Sequence, residues 1–172
     1  MTPRDEQTLS RCPGCRAWLS SSDGPTHLYI GASAECWERY GAVLEQAYSS
    51  SDRRAVLQLA VDAYACQHPG EPARRSAQSA GIHLATLCMV FEQDSDPREG
   101  PRLHRRMVAR PEGFTWLEPP DDRGHRTIGD VLESEHYAAA VTTWARDVWL
   151  AWAEHHDTVR SWVGTSLRPA GR

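Results

Sequence analysis

The chain of 172 residues contains neither lysine nor asparagine, so all 19 of its basic side chains are arginines. These are scattered rather than gathered at one place, as codon usage in a GC-rich genome would leave them. With 23 acidic side chains the net charge is -4. A chain without a basic surplus lacks the electrostatic footprint of general nucleic-acid binding. No apolar run reaches the roughly 20 residues that a membrane-spanning helix needs. Met1 to Ser10 has no apolar core of the kind that marks a secretory signal. The expectation is a cytoplasmic protein with neither nucleic acid nor membrane as partner. Cysteine is scarce, at five residues. In a reducing compartment these are thiols or metal ligands rather than disulfides. Cys66 and Cys88 fall in apolar helical stretches, where a thiol is a small buried hydrophobe.

Three of the five cysteines stand close together at the start. Cys12-Pro13-Gly14-Cys15 forms a tight knuckle, whose glycine lets backbone N–H groups turn toward the sulfurs. His27 and Cys36 follow within 21 residues of Cys15. Three thiolates and one imidazole are the borderline-soft donors that tetrahedral zinc takes. Cys12, Cys15, His27 and Cys36 are therefore the expected zinc ligands. A redox Cys-x-x-Cys normally opens a helix, which Pro13-Gly14 disfavours. With four protein ligands the site is closed and structural; with three it keeps a position open for water or substrate.

Helical periodicity dominates the rest. Ser33 is a good N-cap for a helix from about Ala34 to Tyr48, with Cys36 in its first turn. Asp52 is the expected cap of a second helix, which His68-Pro69-Gly70 ends because proline disfavours helical backbone at the residue before it. A third helix runs from about Arg74 to Phe91, apolar nearly all round and therefore central. Residues 94–126 break the pattern, with a short helix expected over Arg102 to Arg110. Thr127 and Asp130 have the spacing of a capping box. Tyr137, Val141, Trp144, Val148, Trp152, His155, Val159 and Trp162 recur at steps of three and four, predicting one long amphipathic helix to about Gly164. The expected fold is a single all-α domain over 1–172. It comprises a bundle of four to five helices at 34–164, with the metal knuckle at 11–36 clipped to its start.

Several imidazoles fall inside this predicted bundle. His83 lies on the buried third helix with Gln78 and Ser79 about a turn before it. His155 and His156 lie on or beside the apolar stripe of the last helix, and His68 ends the stripe that holds Tyr64. Buried imidazoles need partners, and side chains from several helices can converge to build a site. The expected pocket is lined by Tyr64, Gln67, His68, Gln78, Ser79, His83, Trp152, His155 and His156. Within it, His68, His83 and His156 are candidates for metal-ligand or acid–base roles, and Gln78 and Ser79 for orienting substrate. Leu103-His104-Arg105-Arg106 has the composition to bind phosphate or another anionic ligand, but a solvated face is the favoured reading.

Several strings taken together carry a resemblance. They are Cys-Pro-Gly-Cys, Asp-Gly-Pro-Thr-His, Cys36-Trp37, Val-Asp-Ala-Tyr-Ala-Cys-Gln-His-Pro, Gln-Ser-Ala-Gly-Ile-His-Leu and Trp-Ala-x-x-Val-Trp-x-Ala-Trp-x-x-His-His. From Cys12 to Trp162 the chain resembles a family of small bacterial proteins, common in actinobacteria, catalogued as a domain of unknown function. The resemblance supplies no mechanism. It implies that the knuckle, Gln67-His68-Pro69, Gln78-Ser79, His83 and His155-His156 belong to a recurring pattern.

Two functions fit. The first is a zinc-binding metalloprotein, as a metal-dependent enzyme acting on a small molecule at the histidine-lined pocket, with a possible second metal of unknown identity. The alternative is a non-catalytic, zinc-stabilised accessory or regulatory module that presents a helical face to a protein partner.

Overall fold

The structure is a computed structural model and describes residues 8–109 and 113–166. Arg110, the expected end of a short helix, lies outside these, as do the two ends of the chain. Two strands, β1 (Leu9–Arg11) and β2 (Trp18–Ser20), pair antiparallel with Leu9 opposite Ser20 and Arg11 opposite Trp18. Everything else regular is helical. Eight helices stand among the described residues where four to five were expected.

Ser33 caps α1 (Ala34–Ala47), its Oγ accepting from the Cys36 amide at 3.4 Å. The next predicted helix is two. Ser50, not Asp52, caps α2 (Ser51–Ala55), and Val56 at φ -108° leaves helical geometry before α3 (Leu57–Gln67) begins. Breaking there frees α3 to run through the centre, where Leu59, Ala60, Asp62 to Gln67 are all buried. The following helix, α4 (Arg74–Glu92), matches its prediction closely and packs on α3. A 3₁₀ turn at Pro97–Glu99 leads into α5 (Gly100–Val108). The capping box forms as expected at Thr127 and Asp130 and starts α6 (Ile128–Leu132).

The long last helix is also two, α7 (Tyr137–Ala151) and α8 (His156–Ser166), joined by a 3₁₀ turn at Ala153–His155. Trp152 explains the break. Its indole is 1% exposed, and Nε1 donates to the Cys66 carbonyl at 3.1 Å. With Trp152 pinned to α3, the tightened turn redirects the chain so that α8 packs along α4. Three-and-four periodicity survives such a corner, because both halves face the same core.

Gln67 locks the loop before α6 to this core. Its Nε2 donates to the carbonyls of Arg123 and Arg126 at 3.0 and 2.7 Å, and its Oε1 accepts from Trp144 Nε1 at 3.0 Å. No described helix is long and apolar enough to cross a membrane.

Candidate metal centre and histidine cleft

The β1–β2 hairpin holds the knuckle at its tip. The Cys12 amide donates to the Ala17 carbonyl at 2.9 Å, and the Arg16 amide donates back to the Cys12 carbonyl at 3.1 Å. Arg16 takes the left-handed backbone that closes so short a turn, at φ 65°. Cys12 and Cys15 thus point the same way, toward Cys36 in the first turn of α1. At Gly14 a side chain would run into the His68 ring and would stand 2.6 Å from the Gly31 carbonyl oxygen. Glycine there is a packing requirement, because the knuckle lies directly on the imidazole.

His68 is the fourth member of this group. One donor atom each from Cys12, Cys15, Cys36 and His68 lies within 4.8 Å of all the others. Cys12, Cys36 and His68 have no exposure, and Cys15 has 5%. The Cys15 and Cys36 sulfurs are 3.9 Å apart, and Cys36 Sγ is 3.2 Å from His68 Nε2. A zinc tetrahedron with its usual bond lengths has S–S edges of about 3.8 Å and S–N edges of about 3.6 Å. The four donors could therefore take the ion with little movement.

The imidazole is prepared for that role. His68 Nδ1 lies 2.8 Å from the Tyr64 carbonyl, which can only accept, so Nδ1 carries the proton and Nε2 presents its lone pair to the sulfurs. Tyr64 stacks on the ring at 4.0 Å and gives its hydroxyl to Cys36 Sγ at 3.6 Å. Burial, and then the neighbouring Cys36, push the Tyr64 hydroxyl far above its ordinary value, so it remains a donor.

The thiols themselves cannot all ionise unaided. Hydrogen bonds from Cys15 and Cys36 hold Cys12 far below the ordinary thiol range. The contact with Cys12 pushes Cys15 up to about 11, and contacts with Cys12 and Cys15, together with burial, push Cys36 far higher. One negative charge is comfortable in this cage; three need a cation.

His27, expected in the ligand set, is not in the group. Its ring meets Tyr29 edge-on at 4.2 Å and Trp37 at 5.7 Å. The reason is the turn that follows it. The Ile30 amide donates to the His27 carbonyl at 3.2 Å, Ile30 bridges to Pro69, and the Gly31 amide donates to the His68 carbonyl at 2.9 Å. That zipper draws the end of α3 onto the thiols. The sequence signal was present in Gln67-His68-Pro69: the proline ends the helix, and His68 leaves it at φ -122°.

The expected pocket divides in the same way. Gln78, Ser79 and His83 do line one open cleft of about 350 Å³, together with Tyr29, Arg75 and His104. His68 belongs to the sulfur cage, and Gln67 and Trp152 are core anchors. His156 stacks on Trp149 at 3.8 Å and donates from Nε2 to the Trp149 carbonyl at 2.9 Å. His155 donates to the Glu118 carbonyl at 2.8 Å. Both brace the α7–α8 corner rather than line the cleft.

Two groups at the cleft were not among the expected site residues. Asp62, with no side-chain exposure, lies 2.7 Å from His83 Nδ1 through Oδ1, which also accepts from Gln58 Nε2 at 2.9 Å. His104, read from sequence as solvated, is half-buried, with its ring 4.9 Å from that of His83. Burial, and then His83, hold His104 below the ordinary imidazole value. One donor atom from each of Asp62, His83 and His104 lies within 4.8 Å of the other two. A carboxylate inside the apolar stripe Leu59, Ala60, Ala63 was the available signal, since such a group needs a partner.

Residues 10–153 match the model of a family described as a family of unknown function, DUF5946. The match takes in both clusters and stops short of α8. No curated protein and no solved structure matches the chain.

Proposed function

This chain belongs to DUF5946, and we propose that it is a zinc-stapled helical metalloprotein that handles a small molecule in the cleft beside His83. The observation that carries the first half is the approach of His68 Nε2 to Cys36 Sγ at 3.2 Å, with the other ring nitrogen already committed to a carbonyl. Three sulfurs and one nitrogen select a borderline-soft ion, and zinc takes this set in a closed tetrahedron. Four protein ligands leave no position for substrate, so this ion is structural. It ties the hairpin, α1 and the end of α3 together, where the hairpin contributes little core of its own.

The chemistry then belongs to the cleft. Ser79 and Gln78 share its wall with His83, and Asp62 orients the imidazole from behind. An imidazole oriented by a buried carboxylate is suited to passing a proton or holding a cation. That supports action on a small molecule over presentation of a flat helical face.

Elemental analysis of protein purified without chelators tests the staple. One zinc per chain is expected at the thiols in the wild type and in Cys88→Ser. Cys12→Ser should lose it. A zinc content in Cys12→Ser equal to that of the wild type would overturn the assignment.

A further inference from the structure

We propose that Asp62, His83 and His104 form a second, open metal site in the cleft, taking a divalent transition-metal ion and, on it, a small anionic ligand that binds through oxygen. This deepens the reading of the cleft as the functional site, and it does not depend on the ion in the sulfur cage.

Three helices bring the donors together: Asp62 from α3, His83 from α4 and His104 from α5. The register of α5 is set by Gly100, where a Cβ would stand 2.7 Å from Gln58 Cβ. That close approach lays α5 on α3 and brings His104 over Asp62, and Gln58 itself holds Asp62 Oδ1. The group is short of hydrogen-bond donors. Asp62 Oδ2 and His104 Nδ1 are both buried, and neither has a hydrogen-bond partner among the described residues. A fully buried carboxylate oxygen without a donor is unfavourable, because its lost hydration is not replaced. A cation held among the carboxylate and the two imidazoles supplies the positive partner that this group lacks. The hydrogen bond of 2.7 Å between His83 Nδ1 and Asp62 Oδ1 occupies part of that place.

Two imidazoles and one carboxylate are hard enough donors for zinc, iron(II) or manganese, and three ligands leave coordination positions open. His83 and His104 line the cleft and Asp62 stands behind them, so those positions face the cleft. Among the described residues Arg75 is the one fully charged side chain in its lining, and none of those lining it is a carboxylate. The ligand that reaches the ion there is an anion.

Cobalt(II) titration of the metal-free full chain separates the two sites. Thiolate-bound cobalt gives intense sulfur-to-metal charge-transfer absorption, whereas nitrogen and oxygen donors give weak visible bands. The wild type is expected to take two equivalents, one of each kind. Asp62→Asn and His104→Gln should keep the charge-transfer equivalent and weaken the other by at least the roughly 10–100-fold that lost metal-site partners cost. Far-ultraviolet circular dichroism and the retained charge-transfer band show that each variant is folded. A wild type that takes only the charge-transfer equivalent overturns the second site, as do variants that both keep two. A wild type that shows only the weak bands overturns the sulfur cage instead. Oxalate should then shift the weak bands, about 10-fold less tightly in Arg75→Ala. Equal binding by that variant would overturn the anion assignment.

Discussion

His68 Nε2 stands 3.2 Å from Cys36 Sγ although 32 residues separate them, and its Nδ1 is fixed by the Tyr64 carbonyl one helical turn earlier. The last turn of α3 thus both places the imidazole and chooses its tautomer. His27, nearer in sequence to the other donors, has neither service.

The two histidines should therefore separate cleanly. His68→Ala is expected to lower zinc affinity by more than about 100-fold, beyond the usual loss of a metal-site hydrogen bond. His27→Ala should leave it within a few-fold of wild type. Competition with a chromophoric chelator measures both, and equal losses would show that His68 has no special place.

Removing zinc should loosen one end of the molecule and spare the other. The helices share a core of their own around Trp144, Trp152, Leu59 and Leu84, whereas the hairpin adds to it only Leu19 beside the knuckle cysteines. After chelation, limited proteolysis should cut within residues 8–32 first, while most of the helical circular dichroism persists. Simultaneous loss of both would mean that the ion holds the entire fold.

Gly14→Ala puts a methyl group into the His68 ring. Overpacking of this kind costs about 1–3 kcal/mol. The expected result is a lower melting temperature in the zinc form and faster zinc release, with a smaller difference in the metal-free form, where the knuckle can move away.

Gln67→Leu should be strongly destabilising without touching either metal cluster. It leaves the Trp144 indole N–H buried without its acceptor and releases the carbonyls of Arg123 and Arg126. One buried orphan of this kind costs about 1–3 kcal/mol. Urea unfolding measures it, and zinc stoichiometry should stay unchanged.

The ion pair between α4 and α8 gives a pH signature. Arg160 donates through Nε and Nη2 to Glu92 at 2.6 and 2.9 Å. Those hydrogen bonds hold the Glu92 carboxyl below its ordinary value. A carboxylate with a depressed folded value binds fewer protons than its unfolded counterpart, so its contribution is present above the unfolded value and is lost as pH falls through the folded one. Arg160→Met should lower the melting temperature slightly at pH 7, less so in high salt because the pair is exposed. The difference from wild type should vanish in acid below the carboxylate range.

The helical class, the caps at Ser33 and Thr127, the span of α4 and the burial of Cys66 and Cys88 were all legible in the order of residues. Each depends on neighbours within a turn or two, and local spacing records such neighbours directly. The knuckle cysteines and Cys36 were legible for the same reason: a tight turn and a helix start can be read one residue at a time. The breaks at Val56 and Trp152 were hidden, because a hydrophobic stripe continues unchanged round a corner that keeps its face to the core.

Partnership across the fold was decided only by packing. The Ile30–Pro69 bridge and the Gly31–His68 hydrogen bond select His68 over His27, and no spacing within 11–36 contains them. Likewise Gly100 against Gln58 brings His104, which read as a solvated residue, over a buried aspartate two helices away. Sequence named the kinds of donor this chain keeps. Tertiary structure chose which of them meet, because donors on different elements come within bonding distance only after the helices have been laid against one another.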